Sequence, residues 1–439
     1  MAINTGSNTH KALRVGSTVI SRAFLGTQKV YDQLDYPTLD LNFALTKSLD
    51  SRITFTRASS GTYFDSNGVL QTATTNSPRF DHNPTSLESL GLLIEGQRTN
   101  SIRNNTMQGA VVGTPGTLPA NWAVFAPNGL TTGVVGIGLE NGINYIDIRV
   151  SGTPSGSAYT LFFEGSIIPA LNNQDWVGSF WCKQVGGSQS NLTIRNLITF
   201  RSSAGSALQS SNPAISVNTN FNRFNQAILA SNASIAFVHS GIWISTTAGL
   251  DIDITLRIGM PQLELGAFVT SVIPTFGTAA TRATDLAVMT GTNFSSWYKQ
   301  DEGTLFAEYS YSVTGVSNLC AYSLDNGTAN ETIINTTATP NIDRVVSSTG
   351  GVSQANFGYF NYIVGQVVKR AVAVKLNNAA TTANGSAVAT DNNYTMPVPT
   401  QLTIGAAGYF TSSRINGCIR RIAYFNRRLA DSEIQLLTV

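Results

Sequence analysis

Hydrophobic and polar residues alternate with a period of two along much of the chain. This is the pattern of strands that turn one face to a core and the other to water. In Asp251-Ile252-Asp253-Ile254-Thr255-Leu256-Arg257-Ile258 every even position is apolar and every odd one polar. Tyr145 to Val150 repeats the pattern, and Ile53 and Phe55 alternate with Thr54 and Thr56. Val372, Val374 and Leu376 alternate with small residues and Lys375. Between such runs stand Asn67-Gly68, Asn128-Gly129, Asn141-Gly142, Asn326-Gly327, Asn384-Gly385 and Asn416-Gly417. Asn and Gly both accept positive φ angles, so these pairs predict tight strand reversals. Short strands, frequent turns and no repeat of fixed period predict tandem antiparallel β-sandwiches, an all-β fold. One helix is expected, Leu429 to Leu437, capped by Asp431 or Ser432 and packing Ile434 and Leu437 on a sandwich.

Composition narrows the function classes. The chain has 439 residues, of which 12% are charged, about half the usual share; Ser, Thr and Asn fill the gap. That balance fits β-structure better than helix, and 42% hydrophobic residues argue against disorder. Net charge is +2, from 27 basic and 25 acidic residues, which gives no electrostatic footprint for nucleic acid. No run approaches the length of a membrane span, and the first residues lack the apolar core of a signal peptide. The expectation is a chain made in the cytoplasm, carried outward if at all by a route other than Sec. Cys182, Cys320 and Cys418 lie too far apart for a zinc site or a disulfide framework, and read as buried thiols.

Glycoside cleavage uses two carboxylates roughly 5 to 10 Å apart. Asp251 with Asp253 on one strand face and the adjacent Asp301-Glu302 are the nearest candidates, and solvent-facing polar positions explain both. A Ser-His-Asp arrangement would have to draw on His10, His82 or His239. His82, beside Asp81 in PRFDHNP, reads as part of a turn. Calcium would favour Asp325-Asn326-Gly327 or Asp391-Asn392-Asn393, both of which hairpin turns explain. GVVGIG at Gly133 to Gly138 lacks the Lys-Ser/Thr of a phosphate loop. Trp122, Trp176, Trp181, Trp243 and Trp297 are natural platforms for a sugar ring, with core packing the favoured role for each. The expectation is no catalytic, metal or cofactor residue, no cofactor, and sugar contacts left unassigned.

The stretch from Leu39 to Asn100 carries TFTRAS, PRFDHNP and GLLIEGQRTN. It resembles a segment of many tailed-bacteriophage virion proteins. MPQLELGAFVTSVIPTFGTAATRATD, within Gly259 to Asp285, resembles the closing strands of carbohydrate-binding-module-like jelly rolls. NFSSWYKQDEGTLFAEYSY and INGCIRRIAYFNRRLADSEIQLLT resemble the first and last strands of a concanavalin-like, laminin-G-type sandwich. That family's closing helix opens Leu-Ser-x-x-Glu; Ala430 stands in the Ser position here, so the capping box with Glu433 is expected to be lost. VISRAFLGTQKVY is similar to short N-terminal modules of phage structural proteins.

The resemblance implies four parts: a virion-docking module at 1–36, a β-rich connector at 37–100, a jelly roll at 101–289 and a sandwich at 290–439. LDLNFALTK has a second option, completing a sheet of a later sandwich. The implied protein is a non-enzymatic tail-fibre or spike-like subunit on the virion surface. It docks by its N-terminus on other virion proteins and binds host-surface polysaccharide, as a homotrimer whose weak sites add by avidity. Nucleic acid and membrane insertion are not expected. The alternative is a capsid-decoration, collar or baseplate protein without sugar binding. An aromatic-polar groove on the last sandwich would separate the two. More distant are a depolymerising tailspike enzyme and a secreted lectin with sequons at Asn232 and Asn335.

Overall fold

The structure, a computed structural model, describes residues 36–338, 341–409 and 414–439, together with the backbone of four short strands between residues 13 and 32. Those strands form two hairpins, Leu13–Val15 with Thr18–Ile20 and Arg22–Leu25 with Gln28–Asp32. Apart from Tyr36, the rest of the expected docking module, 1–36, lies outside the described residues.

Two ten-residue strands, Thr131–Glu140 and Ile143–Gly152, meet at Asn141-Gly142. The φ angles there, 49° and 77°, give the tight reversal that the pair predicts. GVVGIG is simply part of the first strand. The second runs beside Ile252–Leu265, where Ile252, Ile254, Leu256 and Ile258 are buried and Asp253 is exposed. With Asp175–Ser188 and Asn222–Leu229 these strands make a five-stranded antiparallel sheet. Across one shared core lies a six-stranded sheet in the order Ala123–Ala126, Ala158–Phe162, Phe237–Thr246, Leu192–Arg201, Ala207–Ser211, with Ile168–Pro169 also on Phe237–Thr246. Ile146, Phe180 and Leu256 from one sheet meet Leu161, Ile198 and Ile242 from the other. This is the expected jelly-roll sandwich.

The second sandwich takes strands from both sides of the jelly roll. One sheet sets Leu39–Asn42 and Ser89–Ile94 beside Gly417–Phe425, with Phe80–His82 beyond and Glu302–Tyr311 to Ala389–Asp391 on the other side. The facing sheet sets Thr54–Thr56 beside Leu286–Thr290, followed by Gln401–Ile404, Cys320–Asp325 and the strands out to Val352–Asn361. A single core joins Leu39, Leu41, Ile53 and Phe55 to Tyr309, Leu402 and Ile422. The sheets thus cross the expected boundary between 37–100 and 290–439, and the jelly roll is an insertion within this outer sandwich. LDLNFALTK does complete a later sheet. Where the chain enters and leaves the insertion, Arg98–Asn100 pairs antiparallel with Ala280–Arg282 and forms a two-stranded neck.

Three local expectations change. Leu376 falls just past the end of Val368–Lys375 and is 60% exposed, so the alternation stops at Val374. The helix spans Asp431–Leu437 with Ala430 at its N-cap, which places Asp431 and Ser432 inside the first turn instead of capping it. Ala430 has no side-chain oxygen, yet Glu433 accepts the Ala430 amide at 2.6 Å; half of the capping box survives. Ile434 is fully buried in a small cluster with Ala371, Ala373 and Leu437, as the helical spacing predicts.

Candidate functional site

The residues that make the Leu39 to Asn100 stretch distinctive converge at the neck. Arg57 comes from TFTRAS, Arg79 from PRFD, Glu95 from GLLIE, and Arg282 and Asp285 from ATRATD. Asp285 meets Arg57 at 3.1 Å and Arg79 at 2.5 Å, with all three side chains fully buried. Glu95 meets Arg79 at 2.7 Å and Arg282 at 3.0 Å, and also accepts from Ser271. Every carboxylate oxygen in the network is committed to a donor. The arrangement fixes the jelly roll to the outer sandwich; it does not leave an acid or base free for chemistry. A cavity of about 210 Å³ beside it is lined by Asp81, Glu95 and Arg223.

The two acids at this cavity titrate in opposite directions. Burial alone would raise Glu95, but Arg282, Arg79 and the Ser271 hydrogen bonds outweigh it and hold the carboxyl down at about 2. Burial pushes Asp81 up to about 6, against the Phe64 amide and Arg79. Glu95 therefore contributes stability that is complete above its ordinary 4.5 and lost as pH falls towards about 2. Asp81 favours folding while protonated, and that contribution is lost as pH climbs from 3.8 through about 6. The melting temperature is expected to peak in mildly acidic buffer and to fall on both sides. Circular dichroism melts across pH check this: Glu95→Gln should flatten the acid limb, and Asp81→Asn the neutral one. Unchanged limbs in both variants would refute the assignment.

A different arrangement lies on the jelly roll, on the face of the six-stranded sheet turned away from the core. Alternation along Ala158–Phe162 and Phe237–Thr246 sends Tyr159, Leu161, Val238, Ile242 and Ile244 inward. Phe162, Phe237, His239 and Trp243 are left on the other face. In Ala123–Ala126 the register slips between Val124 and Ala126, so Phe125 is the extra residue of a β-bulge. A bulge re-aims a side chain, and Phe125 stands 59% exposed over the sheet. Its ring lies 5.5 Å from Phe162, which stacks on His239 at 4.7 Å; Phe237 meets His239 edge-on at 5.3 Å. Arg201, opposite Phe237 in register, holds its guanidinium 4.6 Å over Phe125 and 5.7 Å over Phe162. Together these groups line a groove of about 290 Å³ with Ile167 at its rim.

The polar groups of the groove have defined roles. His239 Nδ1 lies 3.0 Å from the Glu164 carbonyl. A carbonyl only accepts, so Nδ1 carries the proton and Nε2 is left as an acceptor. Burial, reinforced by Arg201, pushes the imidazole below its ordinary pKa, and it is neutral at pH 7. Between Trp243 and His239 the strand carries Gly241, where a Cβ would run into the Leu161 carbonyl. The result is an apolar plate edged by a donor and an acceptor. A more open depression of about 510 Å³ is lined by Gln184, Gln189, Asn218 and neighbours. It offers amides but no ring and no charge, so it lacks the features that would orient a ligand.

Apart from Trp243 on the groove face, the residues singled out in the sequence fall elsewhere, with one exception. Asp253 pairs with exposed Arg149, and Asp251 accepts from Thr153. Asp301 and Glu302 both meet Lys299. His82 is buried on the Phe80–His82 strand with Nδ1 at the Phe64 carbonyl; the turn expected there belongs to Asn83, which accepts from Thr85 and Ser86. His10 lies outside the described residues. Asp325 is consumed by Gly327, Gln401 and Gly408, and Asp391 by Asn393. Cys182, Cys320 and Cys418 are buried. Trp122, Trp176, Trp181 and Trp297 are buried in cores, while Trp243 is half-buried on the groove face. His239 is the exception: weighed only for catalysis, it lies in the groove. Phe125, Phe162 and Arg201 were not anticipated. The adjacent Phe162-Phe163 was a usable signal, because neighbours on a strand point to opposite faces and both cannot enter one core.

No family model matches the chain, and no curated protein does. Solved structures similar to parts of it include a Ruminococcus gnavus IT-sialidase CBM40, at 15% identity and TM-score 0.27, covering 32% of this chain and 84% of that one. Another is the enzymatically active domain of bacteriophage CBA120 tailspike protein 4, at 15% identity and TM-score 0.25, covering 38% of this chain and 21% of that one. A third is an arabinose-bound MgGH51 α-L-arabinofuranosidase, at 16% identity and TM-score 0.30, covering 49% of this chain and 32% of that one. Parts of enzymes are among these similar structures, and the expectation that the chain is no enzyme is withdrawn.

Proposed function

We propose that the chain is a bacteriophage virion subunit, tail-fibre or spike-like, that holds host-surface glycan in the groove on its jelly roll. The observation that carries the glycan part is the bulge-aimed Phe125 beside Phe162, His239 and Arg201. A pyranose has one face of C–H bonds that an aromatic ring covers, while its rim of hydroxyls needs donors and acceptors. Phe125 supplies the ring, Arg201 donors and His239 Nε2 an acceptor. The virion part rests on the resemblance of Leu39 to Asn100, whose distinctive residues form the neck that presents the jelly roll. Other virion proteins would hold the N-terminal end, and a homotrimer would multiply weak single sites. On the last sandwich, where a groove would have separated the two readings, Tyr309, Tyr311, Tyr322 and Tyr394 are buried.

The test is binding of fluorescently labelled full-length protein to bacterial cells, with extracted surface glycan as competitor. Deleting 290–439 is unsuitable, because strands 39–94 would lose their partners. Phe125→Ala serves instead. Truncating a ring central to a site removes about 2 kcal/mol, roughly a 30-fold loss of affinity. Binding that glycan competes and Phe125→Ala reduces supports the reading. Binding untouched by Phe125→Ala would move the site off the groove.

A further inference from the structure

We propose that the groove selects acidic glycan, with a carboxylate on the bound sugar seated against Arg201. The inference rests on the glycan reading of this groove and sharpens it. Arg201 sits over Phe125 and Phe162 and donates from Nη1 to the Gly205 carbonyl at 2.8 Å. Among the described residues it makes no ion pair, and its Nε is buried without a partner. That contrasts with Arg57, Arg79 and Arg370, which are equally desolvated or more so and each face a carboxylate. A cation drawn out of water against aromatic rings is held at a cost unless an anion completes it.

The surroundings supply no such anion. The positions that share the outer face across the central strands are Ala158, Thr160, Phe162, Trp243, Ser245, Arg195 and their neighbours, none of them acidic. Arg195 on the same face spends donors on Ser245 and the Asn212 carbonyl. Glu164, whose carbonyl holds His239, spends its carboxylate on Arg103 at 3.0 Å and 2.8 Å and on the Ser166 amide. A nearly neutral chain therefore presents a positive groove. Guanidinium and carboxylate match as two parallel hydrogen bonds, which fixes the sugar's orientation over Phe125. His239 stays neutral beside Arg201, so it accepts from a hydroxyl instead of competing for the anion.

The test is an array of bacterial capsular and lipopolysaccharide O-chain glycans, each printed native and with its carboxylates reduced to alcohols, probed with the full-length protein. A charge-assisted contact predicts that the wild type binds native acidic glycans roughly 10- to 100-fold more tightly than their reduced forms, the gap narrowing as salt rises. Arg201→Gln should erase the gap, with native and reduced glycan bound equally and both more weakly than by the wild type; Arg201→Lys should keep part of it. Equal wild-type binding to native and reduced forms, both lost in Phe125→Ala, would overturn the acidic selectivity and leave the glycan reading standing. Binding to no glycan on the array would overturn the glycan reading, and this inference with it.

Discussion

Asp285→Ala is expected to destabilise the chain by about 3 to 5 kcal/mol, because it breaks a buried ion pair from one side only. Asp285 faces Arg57 at 3.1 Å and Arg79 at 2.5 Å, and accepts the Glu95 amide at 2.9 Å. Its removal leaves two guanidiniums inside the protein with Glu95 as the remaining acid, already shared with Arg282. The control is Asp253→Ala, whose pair with Arg149 is about half-exposed on both sides and should cost under about 1 kcal/mol. Urea titration of both variants reads the difference as a shift in midpoint. A loss for Asp285→Ala no larger than that of the control would show that the neck network is replaceable.

The same network shows what a sequence can and cannot carry. Alternation at Ile252, Ile254, Leu256 and Ile258 names the buried face of a strand, and the burial follows it position by position. It does not name the strand alongside. Leu39 pairs with Tyr424 and Phe55 with Ala287, partners that local pattern has no means of selecting, so beyond the second option for LDLNFALTK the insertion of one sandwich in another stayed hidden. The motif residues were conspicuous as a string but gave no sign that Arg57, Arg79, Glu95 and Asp285 share one site. At the groove the difficulty is different. Val124-Phe125 reads as ordinary strand, and only the register slip against Ala158–Phe162 turns Phe125 outward. Trp residues drew attention as sugar platforms, yet bulk and hydrophobicity carried most of them inward. His239 was in view for the wrong chemistry. An acceptor beside a ring needs no Ser or Asp in sequence, so nothing nearby marked it.

Arg370→Leu is the other substitution expected to cost about 3 to 5 kcal/mol, for the mirror-image reason: an anion is stranded. Asp343 lies in the core of the outer sandwich, 3.0 Å from Arg370 Nε, and accepts from Tyr309 at 2.6 Å, Tyr311 at 3.1 Å and Asn335 at 2.8 Å. Three neutral donors remain after the substitution, but none carries the compensating charge. Asp343→Ala is expected to cost as much, since it leaves Arg370 unpaired and the Tyr309 hydroxyl short of an acceptor. The double variant separates charge from hydrogen bonding. With both ions gone the core is neutral again, so the loss should fall short of the sum of the singles by roughly 0.5 to 3 kcal/mol. It should still exceed zero, because the Tyr309 hydroxyl keeps no acceptor and Tyr311 is left with Asn335 Oδ1 alone. Strict additivity in urea titrations would mean that the two ions act independently, and that the tyrosines, not the ion pair, hold this part of the core.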